Sequence, residues 1–189
     1  LAIKVGSNVF NFLLITSFFI CIYELKKFKI NYLIKTVGFF FLIYSFYAIY
    51  LFRNSDNLFA LSYFYIVTII CISVDIGGYV FGKLFKGPKL TKISPNKTYA
   101  GVFGAYFFSV LFTFFYLKFD NFTSITNIEI IFFIMCISSI SQIGDLIVSF
   151  FKRQSNLKDT GSIIPGHGGL LDRIDGMIFA FPSSYLILF

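Results

Sequence analysis

The chain of 189 residues is too apolar for a soluble globular protein, since 57% of its residues are hydrophobic, 13% are charged and its mean hydropathy is +0.82. Soluble domains carry about 25% charged residues, so this composition excludes an ordinary soluble enzyme or binding module. The net charge of +7 does not indicate a nucleic-acid partner, because on a membrane chain the distribution of charge matters more than its sum. We predict one membrane-embedded domain over residues 1–189.

Six apolar runs predict an all-α, polytopic membrane bundle of about six transmembrane helices. A helix needs about 20 residues to cross about 30 Å of hydrocarbon. We interpret the first run as a retained span, since no small-residue cleavage site follows it. Pro182 interrupts the last run, which predicts a helix that stops partway or a natural chain that continues. The predicted spans are 8–24, 36–52, 58–82, 99–117, 128–151 and 174–189.

Basic residues are concentrated in alternate connections of this bundle. Thirteen of the 16 Lys and Arg residues lie in the connections at 25–35, 83–97 and 152–173. Cytoplasmic loops of membrane proteins carry such an excess of positive charge. These three connections are therefore predicted to be cytoplasmic, and any polar cavity that they surround opens to the cytoplasmic side.

Two carboxylic acids interrupt apolar runs: Asp75 in CISVDIGGYVFGK and Asp145 in SSISQIGDLIVSFFKR. An unpaired carboxylate in hydrocarbon costs at least about 2.5–3.5 kcal/mol, and intramembrane acids are functional by default. One interpretation is that each acid pairs with a lysine at its helix end. The other, which we favour, is that both face a functional polar cavity at similar depth.

The second basic connection ends in the segment SPNKT, directly before the fourth run. The positive-inside rule alone accounts for its lysines. It does not account for Ser94, Lys97 and Thr98, which place hydrogen-bond donors beside a helix N-terminus, where phosphate often binds. A phosphate site and a merely basic loop are the two interpretations of this segment.

The third basic connection holds the strongest pattern, GSIIPGHGGLLDRIDG at 161–176. Asp172 and Asp175 are three residues apart, so they share one face if this segment is helical. With Asp145 they offer hard oxygen ligands to Mg²⁺, which prefers one or two carboxylates together with phosphate oxygens and water.

Groups that suit phosphate lie around these acids in the sequence. Gly168 and Gly169 let the backbone approach a ligand closely. A lone histidine is usually structural, but His167 stands in a polar, glycine-rich loop, which favours a functional role. Four cations can pair with phosphate or carboxylate groups: Lys152, Arg153, Lys158 and Arg173. The stretch predicts a metal and phosphate site at the membrane surface.

The segment SFFKRQSNLKDTGSIIPGHGGLLDRID at 149–175 resembles the signature of the phosphatidate cytidylyltransferases, or CDP-diacylglycerol synthases. Upstream, Asp75, Tyr79, Gly82 and SPNKT resemble another motif of that family, and Gly144-Asp145 resembles its Gly-Asp pair. The resemblance covers about 75–176. The positions shared with the signature are Ser149, Lys152, Arg153, Lys158, Asp159, His167, Gly168, Gly169, Asp172, Arg173 and Asp175.

This resemblance implies an integral enzyme of the bacterial cytoplasmic membrane with its active site facing the cytoplasm. It would join CTP and phosphatidate into CDP-diacylglycerol and release pyrophosphate, in phospholipid biosynthesis. Residues 1–57 would be N-terminal spans and residues 58–189 the catalytic part. The family also suggests a homodimer.

The expected roles combine the resemblance with the chemistry of the residues. Asp145 and Asp172, with Asp75, are predicted to hold Mg²⁺, and a second cation is left open. The residues predicted to be catalytic are Asp145, Asp172, Asp175, His167, Lys152 and Arg153. Among them, Asp175 acts with Asp75 as a supporting carboxylate and His167 holds substrate or a ligand, and Tyr79 and Asp159 are further supporting groups. The groups expected on phosphates are Ser94, Lys97, Thr98, Lys152, Arg153, Lys158, Gly168, Gly169 and Arg173.

Two features depart from the family pattern. Ala100 stands where the family often has an acidic or amide residue before Gly101, and the chain has fewer N-terminal spans than the family commonly has. Two other functions remain as alternatives. A CTP-dependent lipid kinase or related transferase would use similar groups, and an ion-coupled transporter would use Asp75 and Asp145 but leave the 161–176 pattern without a role.

Reporter tags test the predicted orientation. Tags near residues 30, 90 and 160 are expected in the cytoplasm and tags near 55 and 122 outside, because the basic connections alternate along the chain. Labelling of each tag by a membrane-impermeant reagent in intact cells gives the readout. External labelling near residue 90 would contradict the topology.

Overall fold

The computed structural model describes residues 2–91, 94, 97–119, 127–161 and 168–189. These ranges contain six α-helices and no strand; the only pairing of extended segments in them is an isolated bridge between Lys89 and Thr98. The helices are α1 (Ala2–Lys26), α2 (Tyr32–Asn54), α3 (Leu58–Phe85), α4 (Tyr99–Leu117), α5 (Asn127–Gln154) and α6 (Leu171–Leu188).

The prediction of an all-α bundle with six helices is confirmed. Within the described ranges, five helices, α1 to α5, are long and apolar enough to cross a membrane. Helix α6 is not among them, because its 18 residues include three charged side chains near its start: Asp172, Arg173 and Asp175. Large apolar side chains such as Phe12, Phe40 and Phe132 are exposed on the outside of the bundle, as expected of a surface that faces lipid.

Polar side chains define where three of the helices begin. The side chains of Asn31, Asn57 and Thr98 each accept a hydrogen bond from the first turn of the helix that follows. Asn and Thr are favoured at such positions because their oxygens satisfy N–H groups that have no partner within the helix. Thr98 thereby ends the basic connection and starts α4 at Tyr99.

Glycines bring the backbones of α3 and α4 into direct contact. A Cβ atom on Gly101 would lie 2.8 Å from the carbonyl oxygen of Gly78, and one on Gly104 would lie 2.5 Å from that of Gly77. Small residues allow this close approach between membrane helices. The contact fixes the α3 segment that carries Asp75 against the start of α4.

Helix α6 continues through Pro182 to Leu188, so the interruption allowed for at Pro182 does not occur. Proline has no N–H to donate, which leaves the carbonyl four residues earlier, at Ile178, without its helical partner. The hydroxyl of Ser45 on α2 lies 2.7 Å from this carbonyl and 2.8 Å from that of Phe41 in its own helix, and Ser45 is fully buried. One donor shared between two carbonyls therefore partly compensates for the proline.

Two apolar clusters fill the bundle. One joins α2, α3, α5 and α6 through side chains that include Phe52, Tyr63 and Phe181. The other joins α1, α2, α5 and α6 around Cys21 and Ile178. The polar residues of α3, α4, α5 and α6 discussed below lie outside both clusters.

Replacement of Gly104 by alanine tests the contact between α3 and α4. The added methyl group would collide with the Phe81 side chain and the Gly77 oxygen, so Gly104→Ala should destabilise the bundle by about 1–3 kcal/mol. Gly38→Ala is the matched control, since its Cβ would meet Leu25 at an ordinary 3.6 Å. Thermal unfolding in detergent is the measurement, and equal midpoints for the two variants would contradict the packing described here.

Candidate active site

A cavity of about 490 Å³ opens among α3, α4, α5 and the start of α6. Small-molecule sites typically enclose roughly 300–1,000 Å³, so its size suits a substrate with several phosphate groups. Its wall includes seven of the residues that the sequence singled out: Asp75, Tyr79, Ser94, Lys97, Thr98, Asp145 and Arg173. The fold thus gathers groups from four separate segments into one space.

An ion pair crosses this cavity. The Lys97 ammonium contacts the Asp145 carboxylate, and Ser149 donates to the same carboxylate at 3.3 Å. The side chains of Lys97 and Asp145 remain 25% and 29% exposed. Both charged groups are therefore paired with each other and yet accessible to a ligand that enters the cavity.

Asp145 also lies beside other carboxyl groups. Its carboxyl group is close enough to that of Asp175, which is 8% exposed, for the two to interact electrostatically. Asp75 likewise interacts with Asp145, Lys97 and Arg173. Carboxylates this close repel one another unless a proton or a cation lies between them. In this structure the Lys97 ammonium is a cation of that kind at Asp145, and a ligand that removed Lys97 would leave these carboxyl groups in need of another positive group.

A second polar cluster surrounds Asp172 at the start of α6. Its Oδ1 accepts from the Lys152 ammonium at 2.8 Å, and its Oδ2 accepts from the N–H of Thr160 at 2.8 Å and that of Gly169 at 3.0 Å. Burial by itself raises the pKa of Asp172, but these hydrogen bonds outweigh that effect and hold the pKa below its usual value. The charged carboxylate joins α5 to the segment before α6.

The remaining predicted site residues differ in their exposure and in their neighbours. Arg153, Lys158 and Asp159 are exposed, while Gly168 adopts a left-handed backbone with φ of +81° and has Asp159 and Asp172 as neighbours. Tyr79 is 68% exposed at the rim of the cavity. His167 lies outside the described residues, so its role stays a prediction.

Comparison with known proteins identifies the family. The model of the cytidylyltransferase family matches residues 1–189. The chain belongs to the cytidylyltransferase family. The resemblance seen in the sequence is thereby confirmed, and with the five apolar helices the result is an integral membrane member of this family.

Several curated bacterial relatives carry the name phosphatidate cytidylyltransferase. The Haemophilus influenzae protein is 40% identical over 128 residues, which cover 65% of this chain and 44% of that protein. The Bacillus subtilis protein is 38% identical over 138 residues, covering 72% and 50%, respectively. The Rickettsia typhi protein is 41% identical over 140 residues, covering 70% and 59%. The chain spans about half the length of these relatives.

The carboxylates of this cavity are oxygen ligands of the kind that Mg²⁺ prefers. Within the described ranges, no three His, Cys, Asp or Glu side chains are grouped as a complete metal cage. Mg²⁺ does not need one, because it commonly binds one or two carboxylates and completes its shell with phosphate oxygens and water. Both oxygens of Asp145 and both oxygens of Asp172 have polar partners in this structure, so a metal ion at either residue would have to displace a partner. The assignment of Asp75, Asp145 and Asp172 as metal ligands stays a prediction.

Three residues of the site were not anticipated from the sequence. Gln142 lines the cavity, and Thr160 is buried between Glu24 of α1 and Asp172. Glu24 on α1 is fully buried and accepts hydrogen bonds from the segment before α6. The available signal for Glu24 was its position, because it is the first acidic residue of the chain and ends the first predicted span.

Proposed function

We propose that this protein acts as a phosphatidate cytidylyltransferase, converting CTP and phosphatidate into CDP-diacylglycerol and pyrophosphate. The observation that carries the proposal is the cavity in which Asp75, Asp145, Lys97 and Arg173 meet within a membrane bundle of this family. The names of the curated relatives support the same reaction. The activity is proposed for this chain, which spans about half their length.

The reaction transfers a cytidylyl group between phosphates. A phosphate oxygen of phosphatidate attacks the α-phosphorus of CTP, and the bond from that phosphorus to the oxygen bridging the α- and β-phosphates breaks. The bond electrons leave with pyrophosphate. Such transfers depend mainly on positioning the reactants and on stabilising the charge on phosphate oxygens.

The cavity offers groups for both tasks. Lys97 and Arg173 lie on its wall and supply positive charge for the triphosphate. The start of α4, with Ser94 and Thr98 beside it, adds the positive end of a helix dipole. A triphosphate that binds here would draw Lys97 from Asp145 to phosphate, which frees the carboxylate at the same time.

We propose Asp145 and Asp175, with Asp75 nearby, as the residues that hold Mg²⁺. The bound ion would neutralise charge on the triphosphate and on the leaving pyrophosphate. Asp145 is the central member, because it interacts with both other carboxyl groups. A second cation and the predicted homodimer remain proposals that rest on the family resemblance.

The position of the site in a membrane bundle suits one lipid and one soluble substrate. Phosphatidate stays in the bilayer with its phosphate at the interface, whereas CTP arrives from water. Because the basic connections predict the cytoplasmic side, we propose the inner leaflet of the bacterial cytoplasmic membrane as the location of the reaction.

Product analysis tests the proposed reaction. Purified protein in phospholipid micelles is expected to convert labelled CTP and phosphatidate into a liponucleotide and pyrophosphate, with no turnover in EDTA and recovery on addition of Mg²⁺, since the phosphates and carboxylates need a counter-ion. A phosphorylated lipid plus CDP would instead identify a lipid kinase. Full activity after thorough chelation would remove the metal from the proposal.

Asp145→Asn tests the carboxylate at the centre of the cavity. The substitution keeps size and polarity but removes the charge, so turnover should fall at least about 100-fold, the scale of one electrostatic catalytic element. The matched control is Asp56→Asn, an exposed residue between α2 and α3, which should retain turnover within a few fold. A folded Asp145→Asn protein with near-normal turnover would show that this carboxylate is structural.

A further inference from the structure

Glu24 is a buried carboxylate that the reaction described above does not use. It lies in the last turn of α1, is 0% exposed and does not line the cavity. Its Oε2 accepts from the Thr160 hydroxyl at 2.8 Å and from the Leu171 N–H at 2.8 Å, and its Oε1 accepts from the Leu170 N–H at 3.0 Å. Both of its oxygens thus bind the segment that leads into α6.

These contacts replace a cap that α6 lacks. Leu170 is at the N-cap position of α6, and no side chain there bonds the first turn. The first N–H groups of a helix need acceptors and carry the positive end of its dipole, which favours a negative charge. The N–H groups of Leu170 and Leu171 thus give Glu24 two partners at the N-terminus of α6.

Thr160 connects Glu24 to the Asp172 cluster. Its hydroxyl lies 2.8 Å from Glu24 Oε2 and 3.0 Å from Asp172 Oδ2, and its N–H also donates to Asp172 Oδ2. Asp172 in turn binds the Lys152 ammonium. A continuous polar chain therefore runs from α1 through Thr160 and Asp172 to the last turn of α5.

Two glycines make room for this carboxylate. A Cβ atom at either Gly161 or Gly169 would lie 2.6 Å from Glu24 Oε1. Such a distance is far inside van der Waals contact, so any larger residue would displace the carboxylate or the segment. The sequence predicts that Gly169 approaches a substrate. The structure gives a second reason for a glycine there, since a larger side chain would collide with Glu24.

We propose that Glu24 is a positioning residue of the cytidylyltransferase site. Its carboxylate fixes Thr160, Gly161 and Gly169 relative to the first turn of α6, and thereby sets where Asp172, Arg173 and Asp175 lie. The proposal rests on the proposed function for its kinetic consequence, but its structural consequence stands independently of it. The N-terminal helix α1 thus contributes to the site although it provides no residue to the cavity wall.

Glu24→Gln tests this role with little change in size. One acceptor oxygen becomes an NH₂ group that faces an N–H or O–H donor, so the start of α6 loses part of its anchor. We expect kcat to fall about 10–100-fold, as for groups that orient catalytic residues, with a smaller change in KM for CTP. Glu24→Asp, which keeps a carboxylate, should have a higher kcat than Glu24→Ala, which removes it. The matched control is Asp56→Asn, which also converts a carboxylate to its amide at an exposed position and should behave as the unchanged protein.

Hydrogen exchange provides a readout that does not require activity. In Glu24→Gln the amides of residues 169–171 should exchange faster while those of α3 and α4 stay protected. If Glu24→Gln does not fold, Thr160→Val, which removes only the bridging hydroxyl, should show the same local effect. Unchanged exchange at 169–171 would overturn the inference, as would normal kcat in folded Glu24→Gln. The two proposals can fail separately. If the unsubstituted protein made no liponucleotide but the amides of residues 169–171 still exchanged faster in Glu24→Gln, the proposed function would fail and the positioning role would stand.

Discussion

The bundle depends on how the N-terminus of α6 is held. Glu24 binds it from α1, and Asp172, inside its first turn, binds Thr160 and the Lys152 ammonium of α5. Each contact satisfies a polar group that would be costly to bury alone. Because Arg173 and Asp175 follow directly, the same contacts determine how the charged groups of α6 meet those of α3 and α5.

The cavity requires a second constraint on its opposite side. The glycine contacts between α3 and α4 leave no space for side chains there, so the α3 helix that carries Asp75 packs directly against the start of α4, which follows the segment with Lys97. Gly144 has a similar effect on α5, where a Cβ atom would lie 2.5 Å from the Phe179 ring. Close backbone packing on both sides fixes the distances between charged groups, and fixed charges stabilise a reaction without reorganising when it occurs.

The sequence predicted the helices and the charged residues of the cavity wall, because charges in apolar runs are conspicuous. Asp75 and Asp145 were recognised in this way, and both line the cavity. Glu24 was not, since it stands next to lysines at a helix end and its partners are 136 to 147 residues away. The continuation of α6 through Pro182 also depended on a distant residue, Ser45. Periodicity and motif spacing are local signals, and neither carries information about a partner on another helix.

The proline in α6 has a consequence for where that helix can lie. Alone in lipid, α6 would carry an unsatisfied carbonyl at Ile178 and three charges near its start, and each unsatisfied backbone group costs several kcal/mol there. Against α2, the Ser45 hydroxyl reaches that carbonyl. The same helix brings Arg173 to a cavity wall whose other residues belong to α3, α4, α5 and the segment before α4. The site therefore depends on a contact with α2, a helix that lends no residue to the described cavity wall.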